Sequence, residues 1–78
     1  MELLQKKRIV VGLKQSQKVV REGSAKKVYL ALDAEPAIRR QIVELCTAGG
    51  VEVVDAASMQ ELGRACHIEV GAAVAAEI

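Results

Sequence analysis

Val28-Tyr29-Leu30-Ala31-Leu32 is a continuous apolar run, entered through Lys26-Lys27 and followed at once by Asp33-Ala34-Glu35-Pro36. A run without polar alternation suits a central strand covered on both faces rather than one with a wet side. Pro36 is acceptable in the first turn of a helix, and Asp33 or Glu35 can cap that turn or favour its positive end, so the tetrapeptide reads as a strand-to-helix loop. The helix then runs to about Thr47. Ile38, Ile42, Leu45 and Cys46 recur at i, i+4, i+7 and i+8, with Arg39, Arg40 and Glu44 off that stripe. Gly49-Gly50 ends it.

The same unit recurs on both sides. Upstream, Arg8-Ile9-Val10-Val11 is a β-branched run closed by Gly12, and a helix from about Lys14 to Glu22 is stopped by Gly23. Downstream, Val51-Glu52-Val53-Val54 is a short strand. Ser58-Met59-Gln60-Glu61 is a capping box opening a helix that buries Met59, Leu62 and Cys66 and ends near His67. Residues 2 to 7 can form a helical turn. Strands alternating with helices indicate the α/β class and a three-layer α/β/α sandwich. The segment from Glu69 to Ile78 is rich in alanine, whose propensity alone makes it helical; Gly71 interrupts it, and a sandwich of this size gains from another strand.

With 78 residues the chain is expected to be one domain spanning 1–78, since a second core would leave each half below the roughly 40 residues that usually fold unaided. Hydrophobic residues make up 51%, much of it Ala and Val, with no Phe or Trp and one Tyr, Tyr29. A core of small residues implies close backbone packing rather than aromatic anchors. The net charge of +1 is unevenly spread: residues 1–40 carry ten cations against four carboxylates, giving +6, and residues 41–78 carry one against six, giving −5. Such polarity fits a basic face toward a phosphate-bearing partner, and it also fits an ordinary solvated surface.

Cys46 and Cys66 form no C-x-x-C motif and read as small buried hydrophobes in a reducing compartment. No apolar run approaches the 18 or so residues of a membrane span, and Ile9-Val10-Val11 is too short for a secretory apolar region. A cytoplasmic protein is expected, with no membrane partner.

Catalysis finds little support. His67 is the only histidine, Gly12 begins neither a G-x-G-x-x-G nor a G-x-x-x-x-G-K-[ST] pattern, and the carboxylates are scattered. No enzyme activity, metal or cofactor is expected. An aromatic RNA-stacking sheet is disfavoured by the composition, and a helix-turn-helix by the intervening strands. What remains is Gly12-Leu13-Lys14-Gln15-Ser16-Gln17-Lys18, where a glycine, free helix N–H groups, the positive helix end and two lysines meet. At about 100° per residue, Lys14, Gln15 and Lys18 share one arc and Ser16, Val19 and Val20 the opposite one.

Three stretches carry a resemblance that covers nearly the whole chain: Gly12 to Lys18, Asp33-Ala34-Glu35-Pro36, and Leu62-Gly63-Arg64-Ala65-Cys66-His67-Ile68-Glu69-Val70-Gly71-Ala72-Ala73. In order and spacing they resemble the kink-turn RNA-binding ribosomal-protein family, and in particular its small bacterial, YbxF-type branch. The resemblance implies an α/β/α sandwich on a mixed four-stranded sheet, with the last segment a strand. It implies as ligand a kink-turn, a sharply bent RNA with tandem sheared G·A pairs.

On that resemblance the residues that read the G·A edges fall on Lys14 and Gln15, with the following lysine at Lys18. The loop beside an extruded nucleotide falls on Ile68, Glu69 and Val70. His67 stands where the family has a glycine closing the helix, which asks a histidine to take positive φ. Gly12, Lys6, Lys7 and Arg64 are weaker candidates for phosphate contacts. The expected function is non-enzymatic recognition and stabilisation of a kink-turn, in ribosomal RNA or an mRNA leader, by a monomer. The alternative is a ribosome-associated or protein-interaction module on the same fold without tight RNA binding.

Overall fold

A computed structural model of the chain describes residues 8 to 78, so the helical turn expected over residues 2 to 7 lies outside the described residues. The elements follow in the order β1 (Ile9–Val11), α1 (Leu13–Arg21), β2 (Lys27–Ala31), α2 (Pro36–Gly49), β3 (Glu52–Ala56), α3 (Met59–Ala65) and β4 (Val74–Glu77). The sheet order is β1-β4-β2-β3, with β2 parallel to β3 and β4 antiparallel to both β1 and β2.

The last segment is therefore a strand, and an interior one. Ala75 and Ala76 are fully buried. Between two partners β4 satisfies its backbone on both edges, which outweighs a helix preference of a few tenths of a kcal/mol per residue.

The pleat divides the core between two faces. Val28, Leu30, Val74 and Ala76 point toward α1 and α2, where Val19, Val20, Ile42 and Cys46 cover them. Tyr29 and Ala75 point the other way, joining Ala56, Leu62, Ala65 and Ala72 beneath α3. This is the expected three-layer α/β/α arrangement. Tyr29 is its one aromatic ring, and the Tyr29 hydroxyl donates to the Glu77 carboxylate at 3.1 Å.

Three local expectations change. Leu32, read as part of the central strand, lies beyond its end and is 53% exposed. Its N–H donates to the Ala56 carbonyl at 2.9 Å. Cys66 is only half-buried, because α3 stops at Ala65 and Cys66 is its C-cap. Asp33 does not cap α2, whose N-cap Glu35 makes no side-chain cap bond either. The Asp33 carboxylate instead accepts the Met59 N–H at 2.7 Å. Parallel pairing of Ala31 with Ala56 brings the loop after β2 beside the start of α3.

Candidate nucleic-acid interface

β1, β2 and β3 run in one direction and each feeds a helix, so the N-termini of α1, α2 and α3 gather at one end of the sheet, where β4 begins. The positive end of α3 is already satisfied: Ser58 Oγ accepts the Glu61 N–H at 3.0 Å, Glu61 lies in the first turn, and Asp33 takes the Met59 N–H. The start of α1 differs. Among the described residues no side chain caps it and its first turn holds no acid, which is also true of α2, whose first turn carries Pro36. Its leading N–H groups and positive end therefore face no side-chain acceptor among the described residues.

Gly12 makes that opening. It sits at φ 109° and ψ 158°, a backbone that side chains rarely adopt. A Cβ added there would touch nothing within 4 Å, so conformation rather than crowding selects glycine. The Gly12 N–H donates to the Val74 carbonyl at 2.9 Å. That bond extends the β1–β4 pairing by one residue and joins the start of α1 to the first residue of β4.

Along α1 the expected division holds. Lys14, Gln15 and Lys18 are exposed, and Ser16, Val19 and Val20 are buried. Lys14 places a cation in the first turn, where the helix dipole disfavours it. Lys18 and Arg21 lie in the last turn, where the dipole favours them.

The loop after α3 folds back along its own helix. His67 takes φ 62°, its N–H donates to the Arg64 carbonyl at 3.1 Å, and the Ile68 N–H donates to the Gly63 carbonyl at 3.0 Å. This is the bonding pattern of a helix closed by a left-handed residue. The Ala72 N–H then donates to the Met59 carbonyl at 2.9 Å. Contact is backbone to backbone at Gly63, where a Cβ would collide with the Val70 carbonyl oxygen and lie 3.1 Å from Gly71 Cα.

The loop turns its residues in different directions. Ile68 is half-buried against the cluster beneath α3, Glu69 is exposed, and Val70 stands out at 71% exposure. Arg64 is exposed on α3. Lys6 and Lys7 lie outside the described residues. Leu32, beyond the end of β2, adds an exposed apolar side chain at this end of the sheet. Its place in an unbroken apolar run gives no sign of this in the sequence. A glycine inside an expected helix is the available sign that Gly63 seats another backbone.

Burial pushes the thiols of Cys46 and Cys66 up, the opposite of an activated nucleophile. Among the described residues, no group of three or more His, Cys, Asp or Glu could hold a metal ion, and no helix is long and apolar enough to cross a membrane.

Residues 1–78 match the model of the ribosomal protein L7Ae/L30e/S12e/Gadd45 family. The chain belongs to that family. Among its relatives is RNA-binding protein YbxF of Geobacillus stearothermophilus, 39% identical over 75 residues that cover 96% of this chain and 92% of the relative. A protein of Caldanaerobacter subterraneus subsp. tengcongensis named RNA-binding protein TTE2299 is 45% identical over 69 residues, 88% of this chain and 84% of the relative. The L7Ae-family fold is matched in turn by the solved structure of the Giardia lamblia 15.5kD RNA binding protein. Its TM-score is 0.83 at 34% identity, over 94% of this chain and 61% of that one.

Proposed function

We propose that this chain recognises and stabilises kink-turn RNA, without catalysis, through the N-terminus of α1. The observation that carries the reading is the start of α1 at Gly12, which no side chain caps among the described residues, with Lys14, Gln15 and Lys18 exposed beside it and the 2.9 Å Gly12–Val74 bond holding it to the start of β4. Lys14 in the first turn opposes the helix dipole unless something anionic sits there. The RNA-binding names of the relatives support the same reading.

Lys14 and Gln15 donate to guanine O6 and N7 on the edges of the tandem sheared G·A pairs, with Lys18 between base edge and phosphate. Val70 stacks against a nucleotide extruded at the kink, Ile68 anchors the loop beneath it, and Glu69 faces the ribose edge. Gly12, Arg64, Lys6 and Lys7 meet phosphates. The RNA is ribosomal or an mRNA leader, the protein acts as a cytoplasmic monomer, and one domain suffices.

The test is a titration with a kink-turn RNA beside a copy whose G·A pairs are replaced by Watson–Crick pairs. Tighter binding of the kink-turn is expected. Equal affinity for both RNAs would overturn specific recognition, and weak binding of both would leave the module without tight RNA binding.

A further inference from the structure

Lys14, Lys18 and Arg21 are all exposed and stand at i, i+4 and i+7 along α1. At 3.6 residues per turn they fall within about 60° of one another and span about 10 Å along the axis. They point directly away from Ser16, Val19 and Val20, which pin the opposite arc to the sheet. Among the described residues Lys27 pairs with Glu52 at 3.9 Å and Arg39 with Asp55 at 3.6 Å, whereas no carboxylate pairs with any of these three cations. Glu44, which lines the groove between α1 and α2 together with Arg21, does not reach it as an ion pair, and neither does Glu22, the C-cap of α1.

The helix dipole accounts for Lys18 and Arg21 but not for Lys14, so intrahelical electrostatics do not explain the stripe as a whole. Its members are solvated, paired with no carboxylate among the described residues, aligned with the axis and continuous with the uncapped N-terminus. That arrangement complements a linear array of negative charges better than a single anion.

We infer that Arg21, in line with Lys14 and Lys18, carries the RNA contact of α1 on from the base edges read by Lys14 to a phosphate track at Lys18 and Arg21, along which one duplex arm lies as far as the last turn. The inference rests on the kink-turn reading and deepens it. Arg21, seven residues beyond Lys14, is the far contact and touches backbone only. It therefore adds affinity and fixes the direction of the arm without reading sequence.

The test compares Arg21→Gln, Arg21→Lys and the off-helix control Lys26→Gln with the parent protein, titrating kink-turn RNA from about 50 to about 200 mM salt. One lost phosphate contact flattens the slope of log affinity against log salt by about 0.9, so the advantage of the parent over Arg21→Gln shrinks about threefold across that range. Arg21→Lys keeps the parent slope, as does Lys26→Gln. Trimming one flanking stem to a few base pairs abolishes the Arg21→Gln effect; trimming the other leaves it.

An Arg21→Gln slope equal to that of the parent, while Gln15→Ala still weakens binding, would overturn the track and leave the base-reading site standing. If Gln15→Ala and Arg21→Gln are both without effect, the underlying reading fails as well. Thermal unfolding of each variant separates these outcomes from a loss of fold.

Discussion

The Asp33 carboxylate accepts the backbone N–H of Met59 at 2.7 Å, tying the loop after β2 to the first residue of α3 across 26 positions of sequence. With Ser58 Oγ on the Glu61 N–H, it leaves α3 doubly capped. The Met59 carbonyl in turn accepts the Ala72 N–H at 2.9 Å, so the same residue steadies the loop that carries Val70. Asp33→Ala should cost about 1 kcal/mol, the usual worth of a helix cap, and Asp33→Asn distinctly less. Urea unfolding measures both, and equal losses for the two variants would show that the acceptor oxygen is not what matters.

Gly63 and Gly49 both lie in helices, and the structure assigns them opposite responses to a methyl group. A Cβ at Gly63 would collide with the Val70 carbonyl oxygen, while one at Gly49 would meet Val20 Cγ1 at an ordinary 3.5 Å. Gly63→Ala should destabilise by about 1–3 kcal/mol and displace the 68–71 backbone. Gly49→Ala should be neutral or stabilise by up to about 1 kcal/mol through helix propensity. Unfolding midpoints read the energies, and amide chemical shifts read the loop. An undisturbed loop in Gly63→Ala would refute the close approach.

His67 holds φ 62° at the end of α3, where the other two helices close on Gly23 and Gly50. A Cβ disfavours this region by about 1–2 kcal/mol. His67→Gly should therefore stabilise by about 1 kcal/mol, or about 4–8 °C in Tm for a domain of this size. His67→Val should lower Tm. A lower Tm for the glycine variant would show that the imidazole contributes contacts outweighing the strain.

At the proposed RNA face, Gln15→Ala should weaken kink-turn binding by about 1–3 kcal/mol, the worth of a base-edge contact, and leave the Watson–Crick control RNA unaffected. Lys18→Ala should chiefly flatten the salt dependence. Unchanged affinity for both variants over a range of salt would exclude this face.

Burial raises the pKa of both Cys46 and Cys66. An acid with a higher folded-state pKa ionises first in the unfolded chain. The stability it contributes is intact below the ordinary thiol range and falls as pH rises through it toward the folded-state value. A Cys46→Ala, Cys66→Ala double variant should lose this part of the alkaline decline in urea midpoint. An identical pH profile for parent and variant would rule out the linkage.

The repeating local signals are legible in the amino-acid order alone. The β-branched run before Gly12, the stripe through Ile38, Ile42 and Cys46, the capping serine at 58 and the terminal glycines each depend on residues within a turn or two, which a linear reading can see. The two arcs of α1 follow from helical period alone, so the exposure of Lys14, Gln15 and Lys18 is fixed as soon as Val19 and Val20 have a core to face. Leu32 is not legible in this way, because it lies one residue past the end of β2, and where the strand ends is set by its pairing with β3 and β4.

By itself, then, the sequence determined the order and kind of most elements, the small-residue core and the one free face of α1. Tertiary structure decided where β4 sits, which helix Asp33 caps, why Gly63 must lack a side chain, and that the start of α1 is tied to the start of β4 through Gly12 and Val74. The physical reason is one of range. Period, capping and turn chemistry act over a few bonds, whereas these four features are contacts between residues far apart in the chain or, at Gly63, with a returning loop, and they exist only once the sheet has brought both partners together.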